Sequence, residues 1–313
     1  MSNTIENDTL RRFLLENTQL RGEWIHLEQA WQQIRACRDY PSAVENVLGE
    51  ATAAICLLAA TLKYEGSLIL QINSIGPIEM LVVQATSDGE IRGLAKFDQT
   101  AFDETGSLMQ NLSPKLSELF GDGQIVISLV NDEASPVNDR YQGIVSLEGE
   151  TLSECLQTYF QQSEQLQTRL YLASNPTTAA GLLLQRLPNS AQTSNDYVDN
   201  DIEDWHHATA LTDTISSEEL LTLDKGQLLH RLFHEDDVRL FDGKPICFQC
   251  TCSTLKIENA IRSLGRTEAD DIIKEQGSIE IRCEFCNKQY ALDAIDIERL
   301  FDDNIRPPNA SIH

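Results

Sequence analysis

Five cysteines crowded into 40 residues constrain this chain more than any other feature. Three stand in Pro245-Ile246-Cys247-Phe248-Gln249-Cys250-Thr251-Cys252. After 30 residues come two more, in Cys283-Glu284-Phe285-Cys286-Asn287. Zinc takes four soft or borderline ligands in a tetrahedron, with sulfur about 2.3 Å from the ion. Two close pairs of thiols, far apart in sequence, meet that demand by clipping two turns together. Asn287 suits the left-handed conformation that often follows such a turn. The pattern predicts one zinc per reduced chain. Spacing alone leaves two ligand sets open. Cys247 and Cys250 form a CxxC pair which, with Cys283 and Cys286, makes a zinc ribbon and leaves Cys252 spare. Cys250 and Cys252 form a CxC pair, and Cys247 is then the spare thiol.

The other three cysteines, Cys37, Cys56 and Cys155, fall in helical contexts, and Cys56 reads as core packing. The first residues, MSNTIENDTLRRF, have neither a basic nor an apolar leader region, so no secretory signal is expected. The longest apolar candidate, residues 51–62, is 12 residues long and contains Thr52. That is short of the roughly 18 needed to span a bilayer, and it reads as a buried helix. A cytoplasmic location is the default expectation. In a reducing compartment a thiol cluster signals metal or redox chemistry more often than structural disulfides. Lys and Arg number 24 and Asp and Glu 49, a formal net charge of −25. Such a chain repels phosphate backbones and anionic lipid, and it contains no basic run, so neither nucleic acid nor membrane is an expected partner.

A length of 313 residues suggests about two domains. Residues 1–187 read as an α+β core. Asp39-Tyr40-Pro41-Ser42 opens a helix ending near Gly66, with Ser42 as N-cap and Glu45 completing a capping box. Strands are expected at 67–73, 78–85 and 90–97, punctuated by Gly76-Pro77 and Asp88-Gly89, and again at 124–131 and 140–147. A helix is expected at 152–172 and a short apolar helix at 178–187. Residues 188–243 change character. The stretch 189–196 is polar and aperiodic, as linkers are. Ser216 and Glu219 then form a second capping box ahead of a stripe of Leu220, Leu221, Leu223, Leu228, Leu229, Leu232 and Phe233. Gly226 weakens that helix by about 1 kcal/mol relative to Ala, so its apolar face must lie on something. Residues 244–313 form a small cysteine-bearing module. A core of that size supplies only roughly 3–5 kcal/mol, so a metal or other staple is expected. The tail from Asp302 reads as loose.

With these residues in view, the chain resembles the heat shock protein 33 family of redox-regulated chaperones. The C-terminal half carries CTC, 30 residues and CEFC, flanked by Leu232-Phe233-His234-Glu235 and Glu258-Asn259-Ala260-Ile261-Arg262-Ser263-Leu264-Gly265. The N-terminal half carries Arg21-Gly22-Glu23, Asp39-Tyr40-Pro41, Leu62-Lys63-Tyr64-Glu65-Gly66 and Tyr141-Gln142-Gly143-Ile144-Val145. The resemblance covers most of the chain. It implies an α+β core, a metastable helical linker and a zinc-binding module. It implies that Cys250, Cys252, Cys283 and Cys286 hold one zinc when reduced. It also implies that oxidation pairs Cys250 with Cys252 and Cys283 with Cys286. The expected partners are unfolded or partly folded client proteins, with a homodimer as a candidate state of the oxidised chain.

The implied switch has a physical basis. Structural zinc contributes on the order of 10–16 kcal/mol to folding of a small finger. Thiolates are the form oxidants attack, and oxidation destroys them as ligands. A disulfide across Cys250 and Cys252 closes a very small ring, and strained disulfides are readily reduced again. No Walker motif is present, so ATP dependence is not expected. His230 and His234 stand four apart with Glu235 following, but the order is wrong for HExxH and no enzymatic role is expected. Two other readings remain at this stage. One is a thiol–disulfide oxidoreductase using Cys283 and Cys286, which needs a thioredoxin-like βαβ setting. The other is a zinc-stapled adaptor without redox response.

Overall fold

In the computed structural model, which describes residues 8–109, 114–131, 141–188 and 195–302, the chain divides into two compact units, Met1–Gln249 and Cys250–His313. The first begins with a hairpin, β1 (Thr9–Leu15) and β2 (Leu20–Leu27), then α1 (Gln29–Arg35) and α2 (Ser42–Thr61). The strands β3 (Gly66–Asn73), β4 (Ile78–Thr86) and β5 (Glu90–Phe97) form a meander. They are followed by α3 (Leu116–Phe120), β6 (Gln124–Asn131), β7 (Tyr141–Ser146), α4 (Leu152–Tyr159), β8 (Thr168–Ser174) and β9 (Ala179–Arg186). Next come three helices, α5 (Asn195–Thr212), α6 (Ser217–Thr222) and α7 (Lys225–Phe233), and three short strands, β10 (Val238–Leu240), β11 (Lys244–Pro245) and β12 (Cys247–Phe248).

These strands build two sheets. The first runs β10-β1-β2-β9-β8, with β11 also on β1, and is antiparallel throughout. The second runs β12-β5-β4-β3-β6-β7, antiparallel except where β12 joins β5 in parallel. The main core gathers α2 with one face of each sheet, through residues such as Ile25, Leu27, Leu68, Leu70, Leu81 and Leu183. Among the described residues, α2 is the one helix long and apolar enough to cross a membrane by length and composition, but 78% of its most apolar window is buried in this core. The strands of the meander alternate. In β3, Leu68, Leu70 and Ile72 point inward while Ser67, Ile69 and Gln71 are only half-buried, the period of a sheet covered on one face. Asp88-Gly89 makes the β4–β5 turn, where Gly89 has φ +93°, a conformation that favours glycine.

Several expectations are corrected. In place of the helix expected at 178–187 stands the strand β9, Ala179–Arg186. Its first seven residues are buried on both faces, α2 on one side and α5–α7 on the other, so the run is continuously apolar and carries no period of two. The helix expected at 152–172 stops early. α4 passes into a π turn, Phe160–Glu164, and Gln165 at φ +55° ends it before β8. Pro41, not Ser42, is the N-cap of α2, and the Ser42 hydroxyl donates instead to the Thr105 carbonyl at 3.2 Å. The single helix expected from Ser216 to Phe233 is two. Ser216 and Glu219 do form a capping box, but Asp224 caps a separate α7, with Gly226 in its first turn. β1, β2 and α5 were not anticipated. Of the polar stretch 189–196, residues 189–194 lie outside the described residues, as does the tail beyond Asp302.

The apolar stripe of the linker lies on the outer face of the first sheet. Leu220, Leu228, Leu229, Leu232 and Phe233 are buried against Phe13, Leu15, Leu20, Trp24, Leu182 and Leu184, and Trp205 and Ala208 of α5 join them. Phe233 and Phe13 stand 6.0 Å apart between ring centroids. Gly22 makes room for this, because a Cβ there would meet the Phe13 ring at 2.0 Å. Polar ties reinforce the layer. The Tyr171 hydroxyl donates to Asp213 Oδ1 at 2.5 Å, and His26 Nε2 lies 3.1 Å from the Leu221 carbonyl. After α7 the chain returns to the core, β10 and β11 pairing with β1 and β12 with β5. The compact division therefore falls after Gln249, with residues 244–248 on the first unit.

The second unit contains α8 (Thr254–Leu264), α9 (Arg266–Gln276), the antiparallel hairpin β13 (Ile279–Arg282) and β14 (Gln289–Leu292), and α10 (Ala294–Phe301). Ser253 caps α8 by accepting from the Lys256 N–H, and Asp293 caps α10. Among the described residues the unit's buried apolar cluster is Ile261, Ala269, Ile279, Leu292 and Ile297, with Ile257, Ile272, Ile273, Ile281, Leu300 and Phe301 partly buried against it. Five such side chains, one of them Ala, make a core too small to hold about 50 residues without a staple.

Candidate metal centre

Four cysteines of the second unit converge. Cys250 and Cys252 occupy the extended segment just before the Ser253 cap, and Cys283 and Cys286 the turn between β13 and β14. The turn is fixed by its backbone. Asn287 N–H donates to the Cys283 carbonyl at 2.8 Å and Cys283 N–H to the Lys288 carbonyl at 2.9 Å. Asn287 adopts φ +58°, the left-handed conformation expected of it. All four sulfurs lie within 4.8 Å of one another. Cys250 Sγ is 3.6 Å from Cys283 Sγ, and Cys252 Sγ is 3.4 Å from Cys286 Sγ. The edge of a tetrahedron with metal–sulfur bonds of about 2.3 Å is about 3.8 Å, so the cluster has the size of a four-thiolate metal site.

Cys247 is placed elsewhere. It sits in β12, exposed, with its N–H donating to the Gly89 carbonyl at 3.0 Å. The cluster thus takes in the CxC pair, not the CxxC pair that begins at Cys247. Cys56 is buried, as expected of a packing residue; Cys155 is buried too, and Cys37 is half-buried. Burial pushes the Cys56 thiol up to about 12, which makes it inert. His230 and His234 are exposed on α7.

The four thiols are not electrostatically equivalent. Partial burial raises Cys250 and Cys286, and for Cys286 the neighbouring Cys252, Cys250 and Cys283 add to the rise. Burial works in the same sense on Cys252, but hydrogen bonds from the Tyr290 hydroxyl and the neighbouring thiols outweigh it and bring it down to about 7. The Tyr290 hydroxyl donates to Cys252 Sγ at 3.1 Å, from the second strand of the hairpin. Sequence reasoning missed this contact. A tyrosine four residues after the CxxC was visible, but no spacing rule assigns an outer partner to a thiolate. The setting of Cys283 and Cys286 is a β-hairpin turn between antiparallel strands, not a strand-to-helix turn of a βαβ unit.

Comparison with known proteins agrees with this architecture. The Hsp33 protein family matches residues 8–293. The 33 kDa chaperonin of Nitrosococcus oceani is 43% identical over 304 residues, covering 97% of this chain and 98% of that protein. The 33 kDa chaperonin of Shewanella frigidimarina is 41% identical over 297 residues, covering 95% of this chain and 96% of that protein. The crystal structure of the 33 kDa chaperonin (heat shock protein 33 homolog) of Thermotoga maritima superposes with a TM-score of 0.75 at 20% identity, covering 94% of this chain and 98% of that one, and shares its fold. With a family match spanning both the α+β core and the four-thiol hairpin, and relatives above 40% identity over nearly their full length, this chain belongs to the Hsp33 family.

Proposed function

We propose that this chain is an oxidation-activated, ATP-independent chaperone of the holdase type, with no enzymatic turnover. The observation that carries the reading is the pairing of a thiol cluster of metal-site size with a core too small to stand alone, on a chain whose preceding segment covers a wide apolar face. Its relatives bear the name chaperonin. Cys250, Cys252, Cys283 and Cys286 are the proposed ligands of one zinc, because an all-sulfur donor set within 4.8 Å, with contacts of 3.6 and 3.4 Å, fits that ion better than the oxygen-preferring divalent metals. When bound, zinc holds the sulfurs as thiolates and supplies the module with most of its folding free energy.

The proposed division is a core of residues 1–187, a metastable linker of 188–243 and a redox module of 244–313, whose compact part begins at Cys250 and whose first residues, 244–248, are strands paired on the core. On oxidation, four thiolates lose four electrons to two equivalents of a peroxide, and two disulfides and water form. The pairing proposed is Cys250 with Cys252 and Cys283 with Cys286. With its ligands consumed, the module loses its staple. The strap of β10, β11 and β12, which runs directly from α7 to Cys250, then loses its anchor at one end. Release of α5–α7 uncovers Phe13, Leu15, Trp24, Leu182 and Leu184, an apolar face that captures unfolding proteins. A net charge of −25 keeps the opened chain soluble. A cytoplasmic location, where thiols rest reduced, and a homodimer of the oxidised form belong to the same proposal. A thiol–disulfide oxidoreductase is disfavoured by the hairpin setting of Cys283 and Cys286.

The test is zinc and free-thiol stoichiometry before and after peroxide, run beside light scattering from an aggregating heat-labile protein. One zinc per reduced chain, its loss on oxidation and suppression of aggregation by the oxidised form alone are expected. Zinc retained under peroxide contradicts the switch and favours a zinc-stapled adaptor.

A prediction concerns Tyr290. Partners of a metal ligand typically tune affinity 10–100-fold, so Tyr290→Phe is expected to weaken zinc binding about 10-fold. Competition with a chromophoric chelator at pH 7 reads this directly. An unchanged affinity means that the hydroxyl does not support Cys252.

A further inference from the structure

The outer edge of β1 is covered by two short pieces of chain, not by one strand. β10 sets Leu240, Arg239 and Val238 opposite Phe13, Leu14 and Leu15, and β11 sets Pro245 and Lys244 opposite Thr9 and Leu10. Phe241 N–H donates to the Arg12 carbonyl at 2.9 Å, Ile246 N–H to the Asp8 carbonyl at 2.8 Å, and Glu16 N–H donates to the Asp237 carbonyl at 2.8 Å. Asp242 and Gly243 interrupt the ladder, and a Cβ on Gly243 would meet Thr9 Cγ2 at 2.3 Å, so the strap reaches β1 only through a glycine. Pro245 has no N–H to give. This is a thin cover for a seven-residue strand.

Each side of that edge carries apolar residues, with Arg12 between Leu10 and Leu14 on one of them. The Phe13 and Leu15 side meets Leu232, Phe233 and Val238. The Leu10 and Leu14 side lines an open cavity of about 1120 Å³ together with Ala59 and Ala60 at the end of α2, Phe241 and Ile246 of the strap, and the charged Arg12 and Glu23. An edge strand with a cavity on one side and an apolar packing face on the other suits strand addition, in which backbone bonds give affinity and alternate side chains meet the two sides. The strap lies in sequence between α7 and Cys250, the two elements proposed to let go on activation.

We propose that β1, from Asp8 to Glu16, is a docking strand for clients. Once the strap leaves, an extended apolar segment of an unfolding protein adds antiparallel to its free edge, sending alternate side chains into the cavity and onto Phe13 and Leu15. This rests on the holdase reading and adds to it a recognition mode. Affinity comes largely from the backbone, so capture tolerates many sequences, and folded proteins, which have no free extended segment, are not bound.

The test is residue-resolved amide exchange on the full-length protein, reduced, then oxidised with peroxide and warmed, then with reduced and carboxymethylated α-lactalbumin, which stays unfolded. Glu16 N–H is the reporter, because its acceptor lies on the strap, with Leu14 N–H as the neighbouring edge position. Amides of Ile25 and Leu183, inside the first sheet, are internal controls. Protection of Glu16 and Leu14 is expected to fall about 100-fold on activation and to recover at least about 10-fold when the unfolded protein binds. If α-lactalbumin binds while these amides keep exchanging, clients dock elsewhere and the inference fails with the holdase reading intact. If the amides never lose protection although α-lactalbumin binds, the strap stays and the inference fails. Recovery that rises with protein concentration without α-lactalbumin assigns the edge to a second copy of this chain and also overturns it. If the oxidised protein binds no α-lactalbumin at all, the holdase reading fails first.

Discussion

Cys283→Ser is expected to abolish zinc retention and to unfold residues 250–302 while leaving the first unit folded. The asymmetry follows from the two cores. Among the described residues, the buried apolar cluster of the second unit is Ile261, Ala269, Ile279, Leu292 and Ile297, with further side chains only partly buried against it, whereas the first gathers α2 and both sheets into a core of its own. A core the size of the smaller one supplies roughly 3–5 kcal/mol, against on the order of 10–16 kcal/mol from structural zinc. Cys283 is the first residue of the turn between β13 and β14, and Ser there keeps the turn's backbone hydrogen bonds, so the loss is that of one thiolate of the four. Calorimetry of the variant should retain one cooperative transition, and amides of α8–α10 should exchange at rates near those of an unfolded chain. If those helices stay protected without zinc, the metal is not the staple. If the first unit loses its cooperative melting as well, the two units are not independent in folding.

Phe233→Ala is expected to release the linker layer without any oxidant. Phe233 is 1% exposed, and its ring meets Phe13 at 6.0 Å. Truncating a buried Phe to Ala typically costs about 3–5 kcal/mol. That loss falls on the contact between α7 and the first sheet, not on the main core, since Phe233 belongs to the outer apolar cluster. The reduced, zinc-loaded variant should suppress aggregation of a heat-labile protein to a degree that the unmodified protein reaches only after oxidation. Zinc content should stay at one per chain. A variant that remains inactive until oxidised shows that the gate lies elsewhere than the α7–sheet contact.

How far the sequence foretold this arrangement depended on which physical signal each segment carried. β3 to β7 were legible because they alternate and are punctuated by turns, and α2 because its apolar residues recur along 20 positions. β9 was not legible as a strand, since a strand covered on both faces is uniformly apolar and mimics a short buried helix. β1 and β2 were hidden for a related reason: β2 is buried along nearly its whole length, and β1 carries Arg11 and Arg12 at its centre. The thiol cluster was legible as a metal motif from spacing, yet spacing left the choice between Cys247 and Cys252 open. What separates them is β12, a two-residue strand that holds Cys247 on β5, and no local pattern announces so short a pairing. The linker stripe was readable as apolar and in need of cover. That the first sheet provides this cover depends on β1, β2 and β9 lying side by side, a long-range pairing that no single segment encodes.

In the proposed switch, oxidation of the thiol cluster frees the linker from the first sheet. Amide exchange across residues 205–233, compared between the reduced protein and the protein oxidised by peroxide and mildly warmed, tests it most directly. The account predicts that these amides, protected in the reduced form, exchange at least about 100-fold faster after oxidation, while those of α2 and β3 are unchanged. Continued protection of residues 216–233 in an oxidised, zinc-free protein that binds clients would contradict it.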